Sequence, residues 1–240
     1  DDSAAVQAAF MSVPKDGTDW GDQNGGIIEF PSGSYVVNDV VPYEGSLIRG
    51  TGLWDSSIRS TTATYASFYL NQLTGPGTTI ENLHFSTGGG AGTQTAIRSY
   101  NSNGLIVRGC WFNGYKGIDI RSATDVFVSQ NFFECSYGVV IGTSGGGDNP
   151  YHIQIEGNEF YNNGVSAIKS YAVQYCVIAN NIFYKTGDIG KTLDIVSDHG
   201  LNIEGNVFFY EGTVSSTSAA IYLDVANNIS ITGNNIYGTV

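Results

Sequence analysis

The sequence is poor in charged residues, and above all in basic ones, which excludes several classes of partner. Charged side chains make up 13% of the 240 residues, with 10 Lys and Arg against 22 Asp and Glu. The net charge of −12 argues against binding to nucleic acid or to an anionic membrane surface. Since no apolar run is long enough to span a bilayer, we expect no membrane insertion either.

Cysteine and histidine are also scarce, with three of each. Cys110, Cys135 and Cys176 cannot all pair with one another, and we expect Cys110 and Cys176 to be buried as small hydrophobic residues. No group of cysteines and histidines has the spacing of zinc ligands. The sequence therefore predicts neither a metal site nor a cofactor.

Glycine is abundant, with 32 residues, and much of the chain repeats one short pattern. The pattern is clearest in Tyr151–Phe160, where apolar and polar residues alternate before Gly-Asn-x-Phe. Aligning the copies puts the following residues in one column: Leu83, Cys110, Asn131, Asn158, Asn181, Asn206 and Asn234. Neighbours in this column lie 21 to 28 residues apart, a repeat length that is typical of a solenoid.

The alternation of apolar and polar residues predicts half-buried strands. A second strand is predicted after the repeated Phe in each copy, at residues 96–100, 117–121, 138–142, 167–171, 193–196 and 220–224. Because Ile, Val and Phe would stack on like residues from coil to coil, the predicted fold is an all-β parallel β-helix.

The Asn column is expected to be structural. A bend between two strands needs a residue that tolerates left-handed φ, and the prediction gives this conformation to the Asn residues themselves. Asn amides stacked at the strand spacing of about 4.8 Å are also expected to hydrogen-bond one another.

The N-terminus predicts a short α-helix that caps the first coil. The helix is expected at residues 1–11, with Asp2 or Ser3 as its N-cap and with Val6, Ala9 and Phe10 as its apolar stripe. We divide the chain into a cap with the first strands, residues 1–45, and a β-helix, residues 46–240. The chain is expected to be a piece of a longer protein that continues beyond Val240.

Three stretches near the N-terminus resemble the pectate-lyase superfamily. They are DDSAAVQAAF at residues 1–10, GGIIEFPSGSYVV at residues 25–37 and LIRGTG at residues 47–52. The resemblance implies a right-handed, single-stranded parallel β-helix of the kind found in bacteriophage tailspikes and in secreted polysaccharide lyases, hydrolases and epimerases. It covers the whole chain, and it implies a fold more strongly than an activity.

Two outward columns on the second strands mix acidic, basic and aromatic residues, which suits the binding of a glycan. The predicted substrate-binding residues are Arg98, Asp119, Lys169 and Tyr222 from one column, Arg121 and Tyr171 from the other, and His199 from the turn after Asp194. The alternative is an ordinary solvated sheet face with cross-strand ion pairs.

Asp194 and Asp224 are the predicted catalytic pair. Their places on neighbouring coils predict a backbone separation of roughly 8 Å, which suits an inverting glycosidase. A lyase would instead use a base such as Lys169 or Arg121, and Asp198 or His199 is a further candidate acid or base. The paired Asp motifs of polygalacturonases and the calcium-binding Asp cluster of pectate lyases are not recognisable, which weakens any single named activity.

A third set of outward residues is unusually aromatic for a solvated strand. The members are Trp111, Phe132, Tyr161, Tyr184, Phe209 and Tyr237. Either a long loop covers this stripe or another copy of the chain does. Because tailspike-like β-helices pack as three parallel solenoids, we predict that the stripe lines a homotrimer contact.

Three functions stay open at this point. The first is a phage-type tailspike that binds and depolymerises a bacterial surface polysaccharide, on the virion surface. The second is a secreted polysaccharide lyase, hydrolase or epimerase. The third is a non-catalytic β-helical fibre or adhesin.

Overall fold

The computed structural model describes residues 1–12, 25–61, 66–71, 77–87, 94–144, 147–186, 190–196, 199–211 and 218–238. Within these ranges the chain forms one helix, α1 (Ser3–Ser12), followed by strands alone. The strands are β1 (Ile27–Phe30), β2 (Gly33–Val36), β3 (Leu47–Gly50), β4 (Ser56–Ser60), β5 (Phe68–Asn71), β6 (Thr79–Glu81), β7 (His84–Thr87), β8 (Thr95–Tyr100), β9 (Ile106–Arg108), β10 (Trp111–Arg121), β11 (Thr124–Ser129), β12 (Phe132–Ile141), β13 (Tyr151–Glu156), β14 (Glu159–Tyr161), β15 (Ser166–Tyr171), β16 (Gln174–Ala179), β17 (Ile182–Thr186), β18 (Lys191–Val196), β19 (His199–Glu204), β20 (Val207–Glu211), β21 (Ala219–Asp224), β22 (Ser230–Thr232) and β23 (Asn235–Gly238).

These strands build a parallel β-solenoid with three faces, which confirms the predicted fold class. The first face has the order β1-β3-β6-β9-β11-β13-β16-β19-β22, and the second has the order β2-β4-β7-β10-β12-β14-β17-β20-β23. The third face pairs β5 with β8, β8 with β10, β12 with β15, β15 with β18 and β18 with β21. Strands β10 and β12 are long because each runs through the corner from the second face to the third.

The core is a stack of like residues, because parallel pairing places each inward side chain over its counterpart in the next coil. Phe112 and Phe133 lie parallel with ring centroids 4.8 Å apart. The same contact repeats at 4.7 to 5.1 Å through Phe85, Phe160, Phe183 and Phe208. The predicted Phe column is therefore confirmed as the interior of the second face.

The predicted Asn ladder is present and buried. Asn131 donates from Nδ2 to Oδ1 of Asn158 at 3.0 Å, and Asn158 donates in the same way to Asn181 at 3.0 Å. Asn206 and Asn234 continue the ladder. The left-handed backbone, however, belongs to the residues just before the column: Asn82, Gly109, Gln130, Gly157, Asn180, Gly205 and Gly233. The prediction that the Asn residues themselves adopt it was wrong, because their side chains turn inward to pair.

The N-terminal helix packs on the first coil through Val6 and Phe10, which are buried. It begins at Ser3, two residues later than predicted. The carboxylate of Asp1 accepts a hydrogen bond from the backbone N–H of Ser3. The carboxylate of Asp2 instead accepts one from the backbone N–H of Val36, the last residue of β2. Asp2 thus ties the helix to β2 instead of capping it with its side chain.

Strands β1 and β2 pair in parallel with β3 and β4, so they enter the two sheets as their first strands. The division of the chain near residue 45 stays a prediction. In the part of the chain that the structure describes, no helix is long and apolar enough to cross a membrane.

Candidate functional site

The third face presents the outward columns that the alternation predicted. Asp119 pairs in register with Arg98 and with Val140, and Lys169 pairs with Asp194. In the second column, Tyr100 lies beside Arg121, and Val196 lies between Tyr171 and Asp224. The structure therefore brings most of the predicted binding residues onto one surface.

Asp119 is the centre of the first ion cluster on this face. Its side chain is fully buried, and one of its oxygens lies 3.1 Å from Arg98 and 3.3 Å from Lys116. Arg121 reaches both carboxylate oxygens, with Nε 3.2 Å from Oδ1 and Nη2 3.0 Å from Oδ2. Three cations thus share one buried carboxylate. Because a buried charge without a partner raises the free energy of the fold, these contacts hold the three cations in place.

Asp194 is the centre of a second cluster of the same design. Lys169 contacts one of its oxygens at 3.0 Å, and Lys191 contacts the other at 3.2 Å. Lys191 also lies 3.1 Å from the ring centroid of Tyr222, and Lys169 lies 5.2 Å from that of Tyr171. The aromatic rings add cation–π contacts to the ion pairs.

An open cleft of about 230 Å³ lies between the two clusters. It forms where β12 crosses the face, because Val140 and Gly142 are small in the columns that carry long side chains on neighbouring coils. Its walls contain three cations and three tyrosines: Lys116, Arg121, Lys169, Tyr115, Tyr137 and Tyr171. We call this space the third-face cleft.

The charge of this region contrasts with that of the whole chain. Five cations, namely Arg98, Lys116, Arg121, Lys169 and Lys191, surround two carboxylates in the clusters, an excess of three positive charges. The chain as a whole carries −12. The walls of the cleft therefore concentrate positive charge on an acidic protein.

The ion pairs set the protonation of the cleft residues. Burial alone would raise the pKa of Asp119, but Lys116, Arg121 and Arg98 lower the pKa below its usual value. Burial opposes the charged form of Lys169, yet hydrogen bonds with Tyr171 and Asp194 raise its pKa to about 12. The pKa of Arg121 is likewise raised by Asp119 against the effect of burial.

These pKa values bear on the lyase alternative, which stays a prediction. The raised pKa values of Lys169 and Arg121 favour their protonated forms and disfavour a role as proton acceptor. Burial instead lowers the pKa of Lys116, in spite of its contact with Asp119. Lys169 and Arg121 are suited to holding an anion.

Two other predicted site residues lie apart from the clusters. Asp224 is exposed at the end of β21, on the coil after Asp194 and two residues further along the strand. His199 begins β19 on the first face and is exposed, so its predicted place in a turn beside the site was wrong. Asp198 lies outside the described residues. The catalytic pair of Asp194 and Asp224 stays a prediction.

Sequence reasoning missed Lys116 and Lys191. Each lies three residues before the carboxylate that it contacts, as i,i+3 pairs with Asp119 and Asp194. Strict alternation puts such residues on opposite sides of a strand, but both lysines stand near a corner where the chain changes face. The repeated Lys-x-x-Asp spacing was the available signal.

The aromatic stripe runs along the outside of the second face as a continuous series of ring contacts. Tyr184 and Phe209 stack at 4.9 Å, and Phe209 and Tyr237 stack at 5.3 Å. Phe132, Tyr161 and Trp111 extend the series toward the N-terminus at 6.2 to 6.3 Å. The stripe is a separate feature from the third-face cleft.

Several solved structures of low sequence identity have a similar fold. PfbA, a surface adhesin of Streptococcus pneumoniae, matches with a TM-score of 0.61 and 14% identity, over 99% of this chain and 74% of that chain. Tailspike protein 2 of bacteriophage CBA120 matches in its enzymatically active domain with a TM-score of 0.55 and 13% identity, over 99% of this chain and 40% of that chain. An alginate lyase from a Paenibacillus species matches with a TM-score of 0.54 and 13% identity, over 98% and 95%. These likenesses show a shared β-helix fold.

No curated protein matches the chain in sequence. A family model does match residues 69–240, and its description is "Periplasmic copper-binding protein (NosD)". Copper sites in proteins use thiolate, thioether and imidazole ligands. Among the described residues, no group of three or more His, Cys, Asp and Glu is placed to hold a metal ion.

The cysteines do not fit a copper site either. Cys110, Cys135 and Cys176 form no disulfide with one another and are buried in the core. Burial raises the pKa of Cys110 to about 12 and also raises the pKa of Cys135, which disfavours the thiolate form that binds a metal. The match nevertheless covers most of the chain, which therefore belongs to the NosD family.

Proposed function

We propose that this chain is a polysaccharide-binding β-helix and that the third-face cleft holds an acidic polysaccharide. The observation that carries the proposal is the convergence of Lys116, Arg121 and Lys169 on one cleft of a chain with a net charge of −12. Three tyrosines line the same space and offer ring faces to sugars.

The geometry favours binding of a carboxylate of the polysaccharide over removal of a proton from it. Asp119 and Asp194 sit beneath the cations and fix them, so the cations need no reordering when a ligand arrives. Hydrogen bonds between a charged donor and a carboxylate are about twice as strong as neutral ones. The partly buried position also reduces screening by salt.

The proteins of similar fold support this reading by analogy. They include an alginate lyase, a tailspike with an enzymatically active domain and a surface adhesin. One of these is a surface adhesin, another is a bacteriophage tailspike, and the family description is periplasmic. We therefore propose that the chain works outside the cytoplasm.

Two finer proposals accompany the first. We propose that Asp194 and Asp224 form an inverting pair that cleaves the bound polysaccharide, as in a tailspike depolymerase. We also propose that the aromatic stripe packs three copies of the chain together. The alternatives are a secreted monomeric enzyme and a non-catalytic fibre or adhesin.

The proposal is tested by titrating the chain with alginate, polygalacturonate and hyaluronan in a calorimeter. We expect at least one to bind, and Lys169→Ala to weaken that binding by about tenfold, the cost of one charge-assisted contact of roughly 1.5 kcal/mol. Arg49→Ala is the matched control, since it removes one positive charge from the first face. Equal losses in the two variants, or no binding of any of the three polymers, would overturn the proposal.

A further inference from the structure

The first face carries a second cavity, of about 310 Å³, that shares no residue with the third-face cleft. Its lining includes the exposed rings of Phe127 and Tyr175. The polar side chains around them are Asp125, His152, Gln154 and Asn202. The cavity thus combines aromatic faces with groups that both donate and accept hydrogen bonds.

Tyr175 occupies a backbone position that does not suit it. Asp125, His152, Tyr175, Gly200 and Asn228 take equivalent places on successive coils, as the register of the preceding residues shows. All five have left-handed backbones, with φ between 53° and 70°. Asp, His, Gly and Asn tolerate this conformation, whereas a bulky Tyr adopts it at a conformational cost.

Burial does not offset this cost. Tyr175 is 56% exposed, and its ring makes T-shaped contacts with the rings of Tyr151, at 5.1 Å between centroids, and of His152, at 5.8 Å. On the next coil stands Gly200, where an added Cβ would approach the Tyr175 ring to 3.3 Å. The ring of Tyr175 therefore packs closely over the backbone of Gly200, in the space that a side chain there would occupy. A Tyr that keeps a strained backbone while more than half of it stays exposed is explained better by binding than by folding.

The polar groups indicate what is bound. Nδ1 of His152 lies 3.3 Å from Oδ1 of Asp125, which orients the imidazole and leaves Nε2 on its other side. Gln154 donates to Glu156 at 2.7 Å, so a second carboxylate adjoins the cavity. An anionic sugar would be repelled by these carboxylates, unlike at the third-face cleft.

We propose that this cavity binds a neutral sugar ring. The ring of Tyr175 stacks on the apolar face of the sugar, and the Asp125–His152 pair, with Asn202, hydrogen-bonds its hydroxyl groups. A chain that binds acidic sugars on one face and neutral sugars on another can hold two parts of one polymer, or two polymers. The inference does not depend on the third-face cleft.

The experiment is saturation-transfer NMR on the full chain with cellohexaose, maltohexaose and mannohexaose. We expect at least one to bind, with a loss of affinity of tenfold or more in Tyr175→Asn and little change in Tyr175→Phe. We also expect the thermal midpoint of Tyr175→Asn to equal or exceed that of the wild type, because Asn fits the left-handed backbone. Lys169→Ala is expected to bind the same neutral sugar unchanged.

Four results would overturn the inference. The first is that none of the neutral hexasaccharides binds. The second is that Tyr175→Asn binds one of them with the affinity of the wild type. The third is that Tyr175→Asn lowers the thermal midpoint, as the loss of a packed core residue would. A loss of neutral sugar binding in Lys169→Ala would also overturn it, since it would place that sugar in the third-face cleft.

Discussion

Lys169 and Asp194 face each other across neighbouring coils of the third face, with Nζ 3.0 Å from Oδ2. Arg98 and Asp119 make the equivalent contact at 3.1 Å on an earlier pair of coils. In both pairs the carboxylate is buried and the cation is partly exposed. The third-face cleft lies between two copies of one design, and its positive lining depends on the two buried aspartates.

Replacing Asp119 with Asn should destabilise the fold, because three cations lose their shared acceptor. We expect a loss of about 3 kcal/mol in the free energy of unfolding at neutral pH, measured by urea denaturation. Asp125→Asn is the control, since this exposed carboxylate should contribute no more than about 0.5 kcal/mol. Equal losses of unfolding free energy in the two variants would contradict the role of Asp119 as the shared acceptor of three cations.

The same variant has a defined pH dependence. The pKa of Asp119 in the fold is lowered from 3.8, so its stabilising contribution is complete above that pH and disappears as the pH falls through the lower folded value. The stability of the wild type should therefore exceed that of Asp119→Asn by a constant amount from pH 7 to about pH 4, with convergence only in stronger acid. A difference that already shrinks between pH 7 and pH 5 would show that another group is responsible.

Asn158→Ala tests the buried ladder. The change removes the acceptor for the backbone N–H and the amide of Asn131, each at 3.0 Å, and the donor to Val128 at 2.9 Å. Because these groups are left buried without partners, we expect a loss of about 3 kcal/mol in the free energy of unfolding. The exposed Asn227 provides the control, with an expected change within about 0.5 kcal/mol. Similar losses at both positions would rule out a special role for the ladder.

Much of the fold and half of the site follow from one rule, the alternation of side chains along a strand. That rule placed Asp119 and Asp194 on the third face and the Phe and Asn columns inside. It failed near the corners between two faces. The lysines at 116 and 191 stand near corners, and alternation misplaces them with respect to the carboxylates that they contact.

Residues with a left-handed backbone were the other source of error in the prediction from sequence. The pattern Gly-Asn drew attention to the Asn, but the preceding residue makes the turn, as at Gln130 and Gly157. Tyr175 gave no signal at all, because nothing in its local sequence marks a left-handed residue. Such positions depend on how coils stack, which a single repeat does not reveal.

The aromatic stripe predicts association of the chain with itself. Replacing both Tyr184 and Phe209 with Lys puts two charges into the stacked series and should dissociate a trimer to monomers, measured as mass by light scattering. Replacing Phe127 and Val177 with Lys on the first face is the matched control and should leave the mass unchanged. A wild-type chain that is monomeric in solution would contradict the proposed trimer.

Catalysis by Asp194 and Asp224 predicts a loss of activity without a matching loss of binding. On any acidic polymer that the wild type degrades, Asp224→Asn should lower the rate of viscosity loss by at least a hundredfold while affinity changes little. Asp194→Asn should also weaken binding, since Lys169 and Lys191 lose their anchor. Full activity in Asp224→Asn would remove the pair from the mechanism.

The most direct test of the third-face cleft compares one polymer with and without its charge. The bound acidic polymer, for example alginate, is titrated beside a sample whose carboxyl groups have been reduced to alcohols. We predict that the acidic form binds at least tenfold more tightly, and that this difference narrows in Lys169→Ala and with added salt. Equal affinity for the two forms would contradict the claim that the cleft recognises an anionic glycan.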